Sequence, residues 1–236
     1  MANPVLLNNV EHKDLKIVTT RSAAYGDNVM FAVTFPAEFR NLQAHYPIVF
    51  RKTGDGVGFD AMALLGFQDG ENLFLNEQGW DAPVIPLTVA RHPFLIGVAG
   101  EEMMVNIDLD NPRVSSTEGV PLFLPHGGNT EYMEQATSIL LEIHQGLQTM
   151  KPFVAALLEH GLLESFSVDI ELPDGSQNRL AGFYTIHEEN LMALPGDVLE
   201  RFMKSGYLNA IYMVVASMSN FNALVDRKTR ANAAQR

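Results

Sequence analysis

The chain has no cysteine among its 236 residues. That absence removes disulfides, thiolate nucleophiles, zinc ribbons and iron–sulfur clusters together, and it fits a reducing compartment. Positive charge is scarce as well: 16 Lys and Arg stand against 28 Asp and Glu, for a formal charge of -12. Sequence-independent affinity for nucleic acid comes from clustered cations that release counterions, so no nucleic-acid partner is expected. The one basic cluster, DRKTRANAAQR at 226–236, reads as a solvated tail. No stretch approaches the roughly 18 uninterrupted apolar residues of a membrane span. MANPVLLNNVEHKDLK, at the start, lacks the basic and apolar regions of a secretion signal. The expectation is a cytoplasmic protein with no membrane span.

The recognisable catalytic motifs are missing too. No GxGxxG follows a strand, and neither GxxxxGK[ST] nor GxSxG occurs; LPHGGN at 124–129 lacks the Lys that would meet a phosphate. Ser217 and Ser219 fall in a helix expected to be buried, with no base in view. His12, His45, His92, His126, His144, His160 and His187 form no HxH, HxxxH, HxD or HExxH pattern. Neither a metal site nor a cofactor is therefore expected.

The periodicity that is present changes near residue 128. Before it, short apolar runs (VMFAVTF, YPIVF, AMALLGF, NLFL, FLIGVAG, MMVNIDL) bounded by Gly, Pro, Asn or Asp read as strands. Asp55-Gly56 and Asp69-Gly70 supply the positive φ of tight turns, the second one joining AMALLGF to NLFL as a hairpin. After it, Tyr132, Met133, Ala136, Ile139, Leu140, Ile143 and Leu147 recur at helical steps, capped by Asn129 or Thr130 with Glu131 and Glu134 near the positive end. Pro152 begins a second helix that Gly161 ends. FSVDIEL and RLAGFYTI are strands around the turn PDGSQN, and helices follow at about 188–192, 195–205 and 207–225. The fold class is α+β: one domain over 1–236, strand-rich with an antiparallel or mixed sheet over 1–128 and helix-rich over 129–236.

Two features suggest surfaces. Leu208, Ile211, Tyr212, Val215, Met218 and Phe221 form a stripe read first as core-facing and second as a dimer seam. Met150, Phe153, Leu157, Leu158, Leu162 and Leu163 add apolar area beyond what one thin sheet needs, which predicts a homodimer. The other feature is GENLFLNEQGWDAPVIPLTVARHPF at 70–94, which holds the only Trp together with Pro83, Pro86 and Pro93. Such a segment is preorganised, because each Pro fixes φ. Trp80 offers a broad face, Arg91 a planar fork for a carboxylate or aromatic ring, and Asn72, Asp81 and His92 further hydrogen bonds. The bland account makes Trp80 a core plug. The functional account makes these five residues a pocket or partner surface.

HYPIVF, ALLGFQDGENLFLNEQGWDAPVIP and ARHPFLI, followed by LAGFYTIHEENLMALPGDVLERFMKSGYLNAIYMVVASMSNFNALVDRK, resemble the bacterial SapC family in order and over nearly the whole chain. Three positions depart from the family pattern: Val84 where an aromatic is usual, Ala90-Arg91-His92-Pro93-Phe94 in place of Arg-Arg-Tyr-Pro-Phe, and His187 where an Asp precedes Glu188. The resemblance implies an accessory role in surface-layer assembly or secretion, near outer-membrane TonB-dependent receptors, cupin-like proteins and flavin-dependent tryptophan halogenase-like proteins. It implies no catalytic residues. Three readings follow: a binding protein that recognises a small molecule or a protein segment, an enzyme or enzyme partner with His92, Arg91 and Glu188 in acid–base roles, and a structural subunit.

Overall fold

The computed structural model describes residues 3–99, 102–171 and 177–234. In chain order the elements are β1 (Pro4–Leu6), β2 (Lys16–Ile17), β3 (Phe31–Thr34), α1 (Phe39–Leu42), β4 (Ile48–Lys52), β5 (Phe59–Leu64), β6 (Leu75–Asn76), β7 (Gly79–Trp80), α2 (Leu87–Ala90), β8 (Phe94–Ala99), β9 (Glu102–Asp108), β10 (Val114–Ser115), β11 (Val120–Pro121), α3 (Glu131–Glu159), β12 (Leu163–Glu171), β13 (Gln177–Ile186), α4 (Glu188–Met192), α5 (Gly196–Ser205), α6 (Tyr207–Ser217) and α7 (Asn220–Ala234). The strand ladders of the described residues are antiparallel. With helices gathered in the C-terminal half, the class is α+β as the periodicity indicates.

The chain packs as two compact units. Unit 1 comprises Met1–Asp27, Leu75–Asp81 and Leu87–Gln145; unit 2 comprises Asn28–Phe74, Ala82–Pro86 and Gly146–Arg236. Unit 1 holds the three-stranded sheets β1-β9-β8 and β10-β2-β11 and the small β6-β7 hairpin. Its core is Ile17, Phe94, Ile107, Leu122, Met133, Ala136 and Leu140, so the face of α3 picked out by three- and four-residue spacing is buried over most of its length, with Leu147 at its end 40 % exposed. Thr130 caps this helix by accepting from Met133 N at 3.3 Å.

Unit 2 is built on one five-stranded sheet in the order β12-β13-β4-β5-β3. Ile48, Val49 and Phe50 at the start of β4 are all fully buried, and consecutive burial marks a central strand covered on both faces. Phe153 sits among Phe39, Phe50 and Tyr207 with ring centroids 6.2, 6.4 and 5.4 Å away. Gly146 is there because a Cβ would fall 2.2 Å from the Phe35 ring. Ser217 accepts from Ile48 N at 2.9 Å and donates to Val214 O at 2.6 Å, so this buried hydroxyl ties α6 to β4.

Several expectations are corrected here. Pro152 lies inside α3 rather than starting a new helix. A missing N–H removes one bond, whereas burial of Met150, Phe153, Val154 and Leu157 along the same face holds the helix together. Asp69-Gly70 makes a turn with φ +76 at Gly70, and Leu73 N donates to Leu65 O at 2.8 Å across it, but the pairing goes no further as a ladder, since β6 pairs with β7 and not with β5. Within the turn the Glu71 carboxylate accepts from Phe67 N at 2.8 Å. The last helix breaks after Ser217 and resumes at Asn220, whose amide donates to Gln43 O and Ser217 O. Of the six residues behind the expected homodimer, Met150, Phe153, Leu157 and Leu162 are core residues of unit 2, Leu163 is half-buried and Leu158 is 45 % exposed. Of the α6 stripe, Ile211 is fully buried and Tyr212 is 55 % exposed. β12 and β13 pair as expected, while the turn between them, over 172–176, lies outside the described residues.

The basic cluster is the largest correction. It forms α7 as far as Ala234, with Lys228 only 7 % exposed and 2.6 Å from Glu71 Oε1. Arg227 lies 4.4 Å above the Phe74 ring. By length and composition the run Tyr207–Ala233 is apolar enough to cross a bilayer, a property the search for uninterrupted apolar stretches did not register.

Candidate functional site

The residues that converge in unit 1 come from four separate places in the sequence. After β2 the chain runs through Val18, Thr19 and Arg21 into a single 3-10 turn, Ala23–Tyr25, which Gly26 ends at φ +82. That left-handed residue turns Asp27 back so that its Oδ2 accepts from Ser22 N at 2.9 Å. Arg21 Nη1 is 3.2 Å from Asp27 Oδ1, and Arg113 Nη2 donates to Oδ2. One carboxylate is thus shared by two guanidiniums, both buried or nearly so.

Both arginines also tie down backbone. Arg113 Nη1 donates to Val18 O at 2.9 Å and to Thr20 O at 2.8 Å, while Val18 N returns a bond to Arg113 O at 2.9 Å. Arg21 donates to Val89 O and Ala90 O, each at 3.3 Å, where α2 exposes its last carbonyls. Arg113 is 1 % exposed, and its Nε–H has no hydrogen-bond partner. A buried donor left unmade costs about 1–3 kcal/mol, a cost the other bonds of this guanidinium offset.

Around this pair lies a cavity of about 140 Å³, lined by Arg21 and Arg113, by His92 after α2, and by Tyr132, Ala136 and Ile139 on α3. Gln135 is at its exposed rim, with its amide 3.2 Å from Glu131 Oε1. The His92 imidazole and the Tyr132 hydroxyl make no hydrogen bond to any described residue, although the His92 backbone N–H reaches Val89 O and the His92–Pro93 peptide is cis. Burial, with Arg91, Arg113 and Arg21 adding repulsion, pushes the His92 pKa down to about 4. Burial raises the Tyr132 pKa, with Arg21 and Arg113 opposing it, so the phenol keeps its proton as a donor. A second, more open cleft of about 250 Å³ in unit 2 is lined by Arg40, Asn209 and Met213 among others, and it holds no buried charged group.

His92 gives a signed prediction. Its folded pKa lies below the ordinary 6.5, so the unfolded chain binds the extra proton first; stability is full above 6.5 and falls as pH drops toward about 4. Between pH 7 and about 4, the wild type loses about 3 kcal/mol more than His92→Gln. Urea unfolding followed by Trp80 fluorescence at both pH values measures the difference. Equal pH dependence in the two proteins would show an imidazole free to protonate in the folded state.

The residues singled out in the sequence are placed as follows. His92 lines the cavity. Arg91 is half-buried with its guanidinium folded back onto Phe94 O at 2.7 Å, and burial lowers its pKa. Trp80 is half-buried in β7 opposite Leu75, and Asp81 follows it exposed; neither lines the cavity. Asn72 belongs to unit 2, buried, with Oδ1 accepting from Phe74 N at 3.0 Å. Glu188 is exposed in the first turn of α4. The departure at His187 is explained by that same turn: its Nδ1 accepts from Asn190 N at 3.3 Å, so it does the capping work of an Asp. Sequence reasoning missed Arg21, Arg113 and Tyr132, since the Arg113–Asp27 pair spans 86 positions and no local motif announces it. Among the described residues no three His, Asp or Glu side chains gather in a way that could hold a metal ion.

What these elements define is an α+β protein with a small, cationic, partly apolar cavity in unit 1. The chain belongs to the SapC family, whose model matches residues 7–224. No curated protein and no solved structure matches it.

Proposed function

We propose that this SapC-family chain is a non-catalytic accessory protein that recognises a small molecule in the unit 1 cavity. One observation carries the reading: the His92 imidazole and the Tyr132 hydroxyl, neither with a hydrogen-bond partner among the described residues, line one cavity beside the guanidiniums of Arg21 and Arg113, with Val18, Ala90, Ala136 and Ile139 as its apolar walls. Binding fits this chemistry better than catalysis. The carboxylate of the cluster, Asp27, is held between two guanidiniums and is no free base, and His92 sits well below the neutral range of a general base. The accessory setting, a bacterial surface or nutrient-uptake system, is carried over from the family resemblance. We place the protein in the cytoplasm, in keeping with its lack of cysteine, and read α6 and α7 as packed within the protein and not spanning a bilayer, a reading supported by their polar anchors Ser217 and Lys228, which engage β4 and Glu71.

Methyl and imidazole NMR spectra of the full chain, recorded with small ring compounds of each charge type, test the reading. Shifts centred on Ala136, Ile139 and His92 are expected. If instead only the Trp80 indole responds, recognition belongs to the β6-β7 hairpin and its flanking loop; if nothing in unit 1 responds, the cavity is a packing defect.

A further inference from the structure

We infer that the ligand is a small monocarboxylate with a compact hydrocarbon body of one ring at most, an inference that rests on reading the cavity as a binding site. The charge comes from counting. Arg21 and Arg113 contribute two positive charges and Asp27 one negative, leaving one positive charge uncompensated. His92 adds none at neutral pH. A single net positive charge in a poorly hydrated site is neutralised by one negative charge, and a dianion would overshoot it. Arg91 contributes to the positive field at His92 without lining the cavity, and Glu131, which accepts from the rim residue Gln135, is exposed and screened by water.

The donors fit a carboxylate. Arg21 uses both Nη1 hydrogens on Asp27 and Val89 and one Nη2 hydrogen on Ala90. Its Nε–H and the second Nη2 hydrogen make no bond to a described residue, and this is the pair with which an arginine holds a carboxylate side-on. The Tyr132 hydroxyl supplies a further single donor. The size and the rest of the ligand follow from the walls. Val18, Ala90, Ala136 and Ile139 offer no polar side chain and the two uncharged polar ones, Thr19 and Gln135, belong to exposed residues, so the remainder of the ligand is mainly hydrocarbon. A cavity of about 140 Å³ is comparable to one of about 150 Å³ that accommodates benzene.

The test compares benzoate with its neutral isostere benzamide, with benzylammonium and with inorganic phosphate, by NMR titration of the Ala136 and Ile139 methyls. Benzoate is expected to bind roughly tenfold more tightly than benzamide, benzylammonium and phosphate not measurably. Benzoate also raises the His92 titration midpoint, because a bound anion favours the imidazolium, and benzamide leaves it in place. Arg21→Lys keeps the charge, loses the side-on pair and weakens benzoate; an unchanged Trp80 unfolding transition verifies that its fold survives. Gln135→Glu is the variant that cannot disturb the core, since Gln135 is exposed: it weakens benzoate several-fold and leaves benzamide unchanged. If benzamide binds within about twofold of benzoate, the cavity is a site for neutral molecules and the carboxylate inference falls alone. Phosphate binding as tightly as benzoate overturns it as well. If none of the four moves the methyls, the inference and the binding-site reading fall together.

Discussion

Arg113→Met is expected to lower the stability of unit 1 by about 3–5 kcal/mol, the range for removing one member of a buried ion pair. The substitution keeps most of the volume, so the loss comes from electrostatics and hydrogen bonding and not from a cavity. Val18 O and Thr20 O lose the Arg113 donor, and Asp27 loses one of its two guanidiniums. The Arg21–Asp27 pair that remains is neutral, so the loss is that of the charge-assisted hydrogen bonds Arg113 made to Val18 O, Thr20 O and Asp27. Trp80 belongs to unit 1 and is the only tryptophan, so its fluorescence during urea unfolding reports this unit. With a slope of about 2 kcal/mol per molar urea, the midpoint moves down by roughly 2 M. Arg113→Lys separates charge from shape: an ammonium restores the positive charge but cannot serve Val18, Thr20 and Asp27 as a planar fork does, so most of the loss remains. Full recovery by Lys would show that only the charge mattered, and an unchanged midpoint in Arg113→Met would show that the cluster does not hold unit 1 together.

This cluster also shows where sequence reasoning ends. Local patterns placed the start of α3 with its cap at Asn129 or Thr130, α4 and α5 within a residue of their ends, and β4 and β5 within two or three residues of theirs, because caps, turns and periodicity are written within a few neighbouring positions. Hydrophobic content likewise placed the α+β class. The cavity is different. Arg21, Arg113 and Tyr132 sit in unremarkable strings, and each acquires meaning only when Asp27 lies between the two guanidiniums. Trp80 and the prolines drew attention because they are rare and stiff, which is a property of composition; what lines the cavity from that stretch is His92, at its far end. The same limit explains the basic cluster. Counting charges along 226–236 gave a solvated tail, since a charge is assigned to water until a buried partner is known, and Glu71 is 157 positions away.

Lys228→Ala is expected to lower the stability of unit 2 by about 3 kcal/mol, at the low end for a buried pair because Glu71 retains some solvent contact. The Lys228 and Glu71 side chains are 8 % and 13 % exposed, and Glu71 also accepts from Phe67 N, so the carboxylate organises its own loop before the ammonium docks on it. Gly66 lies against the backbone of the same turn, where a Cβ would come within 2.6 Å of Glu71 O. The loop therefore cannot swing out to hydrate Glu71 without breaking the Phe67 bond and the packing at Gly66. Removing the lysine leaves a half-desolvated carboxylate fixed in place. A thermal melt followed by helical circular dichroism measures the loss, and a double-mutant cycle identifies its origin. Glu71→Gln in the Lys228→Met background removes the orphaned charge while keeping an acceptor for Phe67 N, so the double variant is expected to be more stable than Lys228→Met alone. Strictly additive losses would mean that the two side chains do not act as a pair, and α7 would then be held by Leu224 and by Arg227 over Phe74, without help from the ion pair.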